Sequence, residues 1–130
     1  MAKQIFYEKF NEKCEEFMKD LIAVFSQIEQ FKYLRSGFNV VKNLDYKTPQ
    51  KIFNSYISTT FKEQILNKDE DFFLTKTDYN IRNSSSYKKE YWDEFIEYIR
   101  TIWKTLDNDN KDIIWKYFHI LVVLNDKCQE

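Results

Sequence analysis

The run Asp107-Asn108-Asp109-Asn110 has the oxygen-rich character of a calcium loop. An EF-hand loop needs oxygen ligands at its first, third and fifth positions, Gly at the sixth and Glu at the twelfth. Counted from Asp107, those last three places hold Lys111, Asp112 and Phe118, so the pattern fails. The run reads instead as a turn whose Asp and Asn side chains cap the next helix. Zinc needs closely spaced Cys and His ligands. This chain has a single histidine, His119, and two cysteines near opposite ends, Cys14 and Cys128. No metal or cofactor is expected.

Nucleophilic catalysis requires a nucleophile, a base and a group that orients the base. Cys14 falls on an apolar helical stripe and reads as a small core residue. Cys128, two residues before the final Glu130, reads as exposed and mobile. His119, between Phe118 and Ile120, reads as a satisfied structural imidazole. The chain has one glycine, Gly37, and one proline, Pro49. That excludes a P-loop, a dinucleotide fingerprint and a nucleophile elbow, all of which need glycine at fixed places. Glu12, Glu15 and Glu16 have the spacing of a solvated helix face. No catalytic residue is expected, and the chain reads as non-enzymatic.

Two binding chemistries remain. Lys32, Arg35, Lys42, Lys47 and Lys51 form a basic stretch, while Glu8, Glu12, Glu15, Glu16 and Asp20 crowd the preceding segment. Such asymmetry suits a phosphate-facing patch on a nucleic-acid-associated helical module. The composition of 12 Phe, 9 Tyr and 3 Trp suits a protein interface better, because aromatic residues are enriched at interface cores. Most of them line helical stripes. Tyr33, Tyr46, Phe72, Phe73, Tyr79 and Tyr87 do not, and Phe72, Phe73, Tyr79 and Tyr87 are the expected protein interface.

The elements that position these residues read as helices throughout. Tyr7, Phe10, Cys14, Phe17, Leu21 and Val24 recur at alternating steps of three and four, and Met18, Ile22 and Phe25 widen the stripe. That width belongs to a bundle helix, over about 3–25, more than to the narrow seam of a coiled coil. Ser26 and Glu29 fit a capping box opening a second helix over about 27–44. Its expected buried row is Ile28, Phe31, Leu34, Phe38, Val41 and Leu44, with Gly37 inside it. Thr48 before Pro49 predicts a third start, with an apolar face of Ile52, Phe53, Tyr56, Ile57 and Phe61. Residues 67–86 read as an irregular loop with a short helix near 69–74. Ser84-Ser85-Ser86 cap a helix ending near Leu106, and a last helix covers about Lys111 to Asn125.

These elements make one domain over residues 1–130, an all-α compact bundle of five to six helices. The formal charge of −1 provides no global field for nucleic acid or anionic lipid. The longest apolar run, Ile120 to Leu124, is far short of the roughly 20 residues that cross a bilayer. Two separated cysteines suit a reducing compartment.

Three blocks carry a resemblance. They are Phe17 to Phe25; Lys47 to Phe53 leading into Gln64 to Phe73; and Trp92 onward to the run Ile114-Trp115-Lys116-Tyr117-Phe118-His119-Ile120-Leu121. Together they resemble small helical proteins encoded by nucleocytoplasmic large DNA viruses. In those a leading helix ends in Phe-Pro, an acidic stretch precedes two Phe, and a late Ile-Trp opens the last helix. Ser26 stands where that pattern has proline. The resemblance implies no enzymatic residues. It implies a virion-associated or infection-stage protein. Joined to the aromatic surplus and the missing catalytic signatures, it leads to the expectation of a non-enzymatic structural or interaction protein, in host cytoplasm or virion, that binds a protein partner or a second copy of itself.

Overall fold

The computed structural model describes residues 2–71 and 96–130. Every regular element among them is a helix: α1 (Ala2–Val24), α2 (Gln30–Leu44), α3 (Thr48–Phe53), a π-helical turn (Asn54–Ser58) running into α4 (Thr59–Leu66), α5 (96–103) and α6 (Asn108–Gln129). The expected all-α bundle is the fold that forms. Of the sequence expectations, residues 72–86 of the loop and the start of the helix after Ser86 lie outside the described residues.

Helix α1 packs antiparallel to α6. Phe17 stacks on Tyr117 at 4.6 Å and meets Phe118 edge-on at 5.5 Å, while Lys3 lies close enough to Cys128 for its charge to act on the thiol. Phe10 meets Phe53 of α3 at 5.3 Å. Trp103 of α5 meets Trp115 of α6 edge-on at 5.5 Å. These side chains belong to one buried cluster that draws on every helix. Edge-to-face pairs of this kind add about 0.5–1.5 kcal/mol each beyond their area burial.

Three boundaries differ from the sequence reading, each for a local reason, and α3 begins at Thr48 as expected. The Ser26–Glu29 capping box does not form. Helix α2 begins at Gln30 with Glu29 at its N-cap and no side-chain cap. The Ile28 amide bonds to Phe25 O at 2.9 Å instead, in a turn that lays Phe25 and Ile28 against the core and leaves Ser26 exposed. Apolar burial outweighs one cap here. Asp45, rather than Thr48, organises the entry to α3. Its carboxylate accepts the Lys47 amide at 3.0 Å and its carbonyl accepts the Thr48 amide at 3.0 Å. That Lys47 amide holds the Asp45 carboxyl below the ordinary carboxylate range. Helix α6 starts at Asn108, earlier than expected, because Asp107 itself is the cap, accepting the Asn110 amide at 2.8 Å. It continues to Gln129 because Asn125 and Cys128 are buried.

The π turn has a cause in the sequence. Phe53, Ile57, Phe61 and Ile65 are all buried and recur every four residues. An α-helix turns every 3.6 residues, so over three such steps the row would slip by about one residue. A π turn takes up that extra residue. It keeps the row facing the core. At the far end of α4, Lys68 adopts φ 54. The Asp69 amide bonds to Gln64 O at 2.9 Å and the Lys68 amide to Ile65 O at 3.1 Å, the paired bonds of a Schellman cap. Glycine is the usual residue at that left-handed position, and this chain places lysine there.

A polar layer crosses the core. Gln50 and Asn125 are 0% and 1% exposed. Gln50 Nε2 donates to Asn125 Oδ1 at 2.7 Å and to Gln129 Oε1 at 3.0 Å, and Asn125 Nδ2 donates to Asn54 Oδ1 at 3.0 Å. Beside it, Asn11 Nδ2 donates to Tyr46 O at 2.9 Å. These bonds tie α3, the π turn and α6 to one another, and α1 to the connection between α2 and α3, while Asn11 Oδ1 and Gln50 Oε1 are buried without a hydrogen-bond partner.

Candidate interaction surface

The face of α2 turned away from α1 carries Tyr33, Gly37, Val40 and Leu44, spaced at four, three and four residues. Residues so spaced on a helix share one side. Tyr33, Val40 and Leu44 are 71%, 60% and 76% exposed, and Gly37 between them is half-buried. Leu44 was expected in the buried row and is not there. Phe31, Leu34, Phe38 and Val41 step inward at three, four and three, so the next inward position is 45, and Leu44 rides on the outer side with Val40. Gly37 has no positive φ and continues the helix. Its backbone freedom is not used. What it contributes at the middle of the stripe is the absence of a side chain.

The residues bordering the stripe are mostly uncharged: Gln30, Ser36 and Asn43, with Glu29 at one end. The exposed Lys32 lies on the same edge as Ser36 and Asn43, whereas the other two basic side chains of α2 point elsewhere. Arg35 Nε and Lys42 Nζ both reach the Glu15 carboxylate of α1, at 3.3 and 3.7 Å, and Lys42 also sits 5.9 Å over the Phe38 ring. Lys47 Nζ lies 5.6 Å over Tyr7 and 5.8 Å over Tyr46, whose rings meet edge-on at 6.0 Å. Lys32 and Lys51 are exposed, on different helices. The basic stretch is thus divided among an inter-helix ion pair, an aromatic pair and two separate exposed sites. Tyr46, one of the outlying aromatics, is half-buried in that pair rather than presented outward. Phe72, Phe73, Tyr79 and Tyr87 lie outside the described residues.

Elsewhere, the described residues line several recesses. A charged groove of about 660 Å³ between α1 and α2 is lined by Glu8, Glu12, Glu15, Arg35 and Lys42 among others. An apolar cleft of about 160 Å³ lies between the end of α1 and the start of α6, beside Val24 and Ile113. A third, of about 290 Å³, lies beside Leu66, Trp115 and His119. His119 is exposed at its rim.

Neither cysteine is poised as a nucleophile. Burial, and then the Glu15 charge, pushes the Cys14 thiol above the usual range. Cys128, expected to be exposed, is 3% exposed because the last turn of α6 packs inward. Burial pushes it up to about 11, against the lowering effect of Lys3. Burial also raises Tyr117, helped by its hydrogen bond to Asp20. Among the described residues no group of three His, Cys, Asp or Glu side chains is arranged to hold a metal ion, and no helix is long and apolar enough to cross a membrane.

Sequence reasoning singled out Tyr33 and Gly37 separately and missed the stripe they share with Val40 and Leu44. The four-three-four spacing was the available signal. It was hidden because the same helix carries a stronger apolar row one residue away. Set against known proteins, the chain matches no family model, no curated protein and no solved structure.

Proposed function

We propose that this chain is a non-enzymatic interaction protein that uses the outer stripe of α2 to pack against another polypeptide. The observation that carries this reading is the exposure of Tyr33, Val40 and Leu44 on one helical face. Fully burying such side chains is worth about 1.5–3 kcal/mol each, and here most of each is available to be covered. The gross gain of roughly 3–6 kcal/mol is comparable to the lower estimates of the cost of association, so the stripe alone supports a weak complex. Closely packed helices at Gly37 would strengthen it. The buried, protonated thiols of Cys14 and Cys128 support the non-enzymatic part of the reading.

The resemblance to small helical proteins of nucleocytoplasmic large DNA viruses extends the proposal to an infection-stage or virion-associated structural role, in host cytoplasm or virion. The nucleic-acid reading has less to draw on, because Glu15 takes up Arg35 and Lys42. The test is a pair of surface variants, Tyr33→Lys and Val40→Glu, compared with the natural chain for association with itself and for capture of proteins from infected cells. Loss of association with unchanged thermal melting supports the reading. Association that survives both variants refutes it.

A further inference from the structure

We infer that the recess between α4 and α6 is a binding site for a small monocarboxylate with an apolar body. No residue of α2 lines it, so the inference does not rest on the α2 stripe. Two ion pairs mark its ends. Lys62 Nζ of α4 reaches Asp126 Oδ2 at 2.7 Å, and Lys68 Nζ, just past α4, reaches Asp112 Oδ1 at 3.7 Å. These contacts set α4 antiparallel to α6, and the recess opens between them. Its volume is about 290 Å³, and Leu66, Trp115 and Ile120 give it an apolar floor. Leu66 is 40% exposed, so that floor is open to a ligand.

The groups around the floor are of one kind. Lys68, Lys116 and His119 line the recess and no carboxylate does, in a chain with 21 acidic and 20 basic residues. Asp112 and Asp126, the acids of α6 on either side of Lys116, are taken up by Lys68 and Lys62. Among the described residues neither Lys116 nor His119 has a side-chain hydrogen bond or ion pair. Three residues apart on α6, they share one side of the helix. A carboxylate there accepts from the Lys116 ammonium and from an imidazole N–H, while its apolar body covers Leu66 and Ile120. One ammonium without a counter-charge matches a monoanion better than a dianionic phosphate. The volume lies at the lower end of small-molecule sites, which limits the body to something like a phenyl ring.

His119 is the chain's single histidine, so its ring resonances in NMR spectra of the full chain report on the recess without ambiguity. The probe is phenylacetate, titrated to about 10 mM at constant ionic strength, a range suited to a small half-open site. The His119 ring and the Leu66 and Ile120 amides are expected to shift together and to saturate, with a Kd on the order of 1 mM. Uncharged phenylacetamide, which lacks the anion, and acetate, which lacks the apolar body, are each expected to bind at least about fivefold more weakly. Lys116→Gln is expected to weaken phenylacetate binding at least about fivefold. Lys32→Gln, which removes an exposed lysine from α2, is expected to leave it unchanged. Circular dichroism of both variants checks that the helices remain. Shifts that stay linear throughout the titration would overturn the site. So would phenylacetamide or acetate binding as tightly as phenylacetate, or Lys116→Gln binding as tightly as Lys32→Gln.

Discussion

Replacing Asn125 by alanine is expected to destabilise the fold by about 2–3 kcal/mol. The side chain is 1% exposed and joins two helical elements through its two amide atoms, accepting from Gln50 at 2.7 Å and donating to Asn54 at 3.0 Å. Each such bond contributes about 1 kcal/mol net. The full penalty of an orphaned partner does not apply twice. Gln50 Nε2 keeps Gln129 as acceptor at 3.0 Å, and Asn54 is partly exposed to water. The void left by the amide adds roughly another 0.5–1 kcal/mol. Urea unfolding should show a lower midpoint at unchanged slope, and the melting temperature should fall by roughly 6–15 °C at this chain length. A double-mutant cycle with Gln50→Ala should give a coupling of about 1 kcal/mol, since the two side chains share a bond. Replacing both by leucine should recover much of the loss, because neither partner is then left polar and unpaired. A cost below about 0.5 kcal/mol for Asn125→Ala, or strict additivity in the cycle, would refute the view that the amide layer holds the helices in register.

Lys68→Gly should stabilise the chain by about 0.5–1 kcal/mol, read as a higher urea midpoint, because lysine is held at φ 54 where glycine carries no Cβ penalty. The ion pair it gives up, Lys68 to Asp112 at 3.7 Å, has both side chains more than half exposed and contributes little. Asp107→Ala should cost about 1 kcal/mol through loss of the α6 cap, while Ser26→Ala should be near neutral; equal costs in thermal melting would contradict the assignment of caps. Iodoacetamide at pH 8 should leave Cys14 and Cys128 of the folded chain unmodified and alkylate both in urea, with mass spectrometry as the readout; rapid native labelling would show that the thiols are not enclosed. Cys128 has its proton held to about 11 in the fold against 9.0 unfolded, so its contribution to stability is complete below pH 9 and is lost as pH rises toward 11. Cys128→Ala should therefore flatten the alkaline decline of the urea midpoint, and an unchanged profile would remove Cys128 from its causes.

Fold class was legible in the sequence because it depends on local periodicity. The stripe from Phe10 to Leu21 is a helix and is buried as read. The π turn was also legible in principle. Phe53, Ile57, Phe61 and Ile65 repeat every four residues, a spacing that drifts by about 120° around an unbroken α-helix and that a π turn brings back into line. The candidate surface was only half legible. Tyr33 and Gly37 stood out by residue type, whereas Leu44 was assigned to the core by a spacing that fits a helix about as well as the true one.

What the residues determined by themselves was that the chain is helical and lacks the glycine-built loops on which many catalytic sites rest, since periodicity and backbone freedom are local properties. Tertiary packing decided the rest. It turned Arg35 and Lys42 inward to Glu15, set Lys47 over two tyrosine rings, buried Cys128 and left one face of α2 apolar and open. Each of those outcomes depends on which neighbour a side chain meets across the bundle, and that neighbour lies many residues away along the chain.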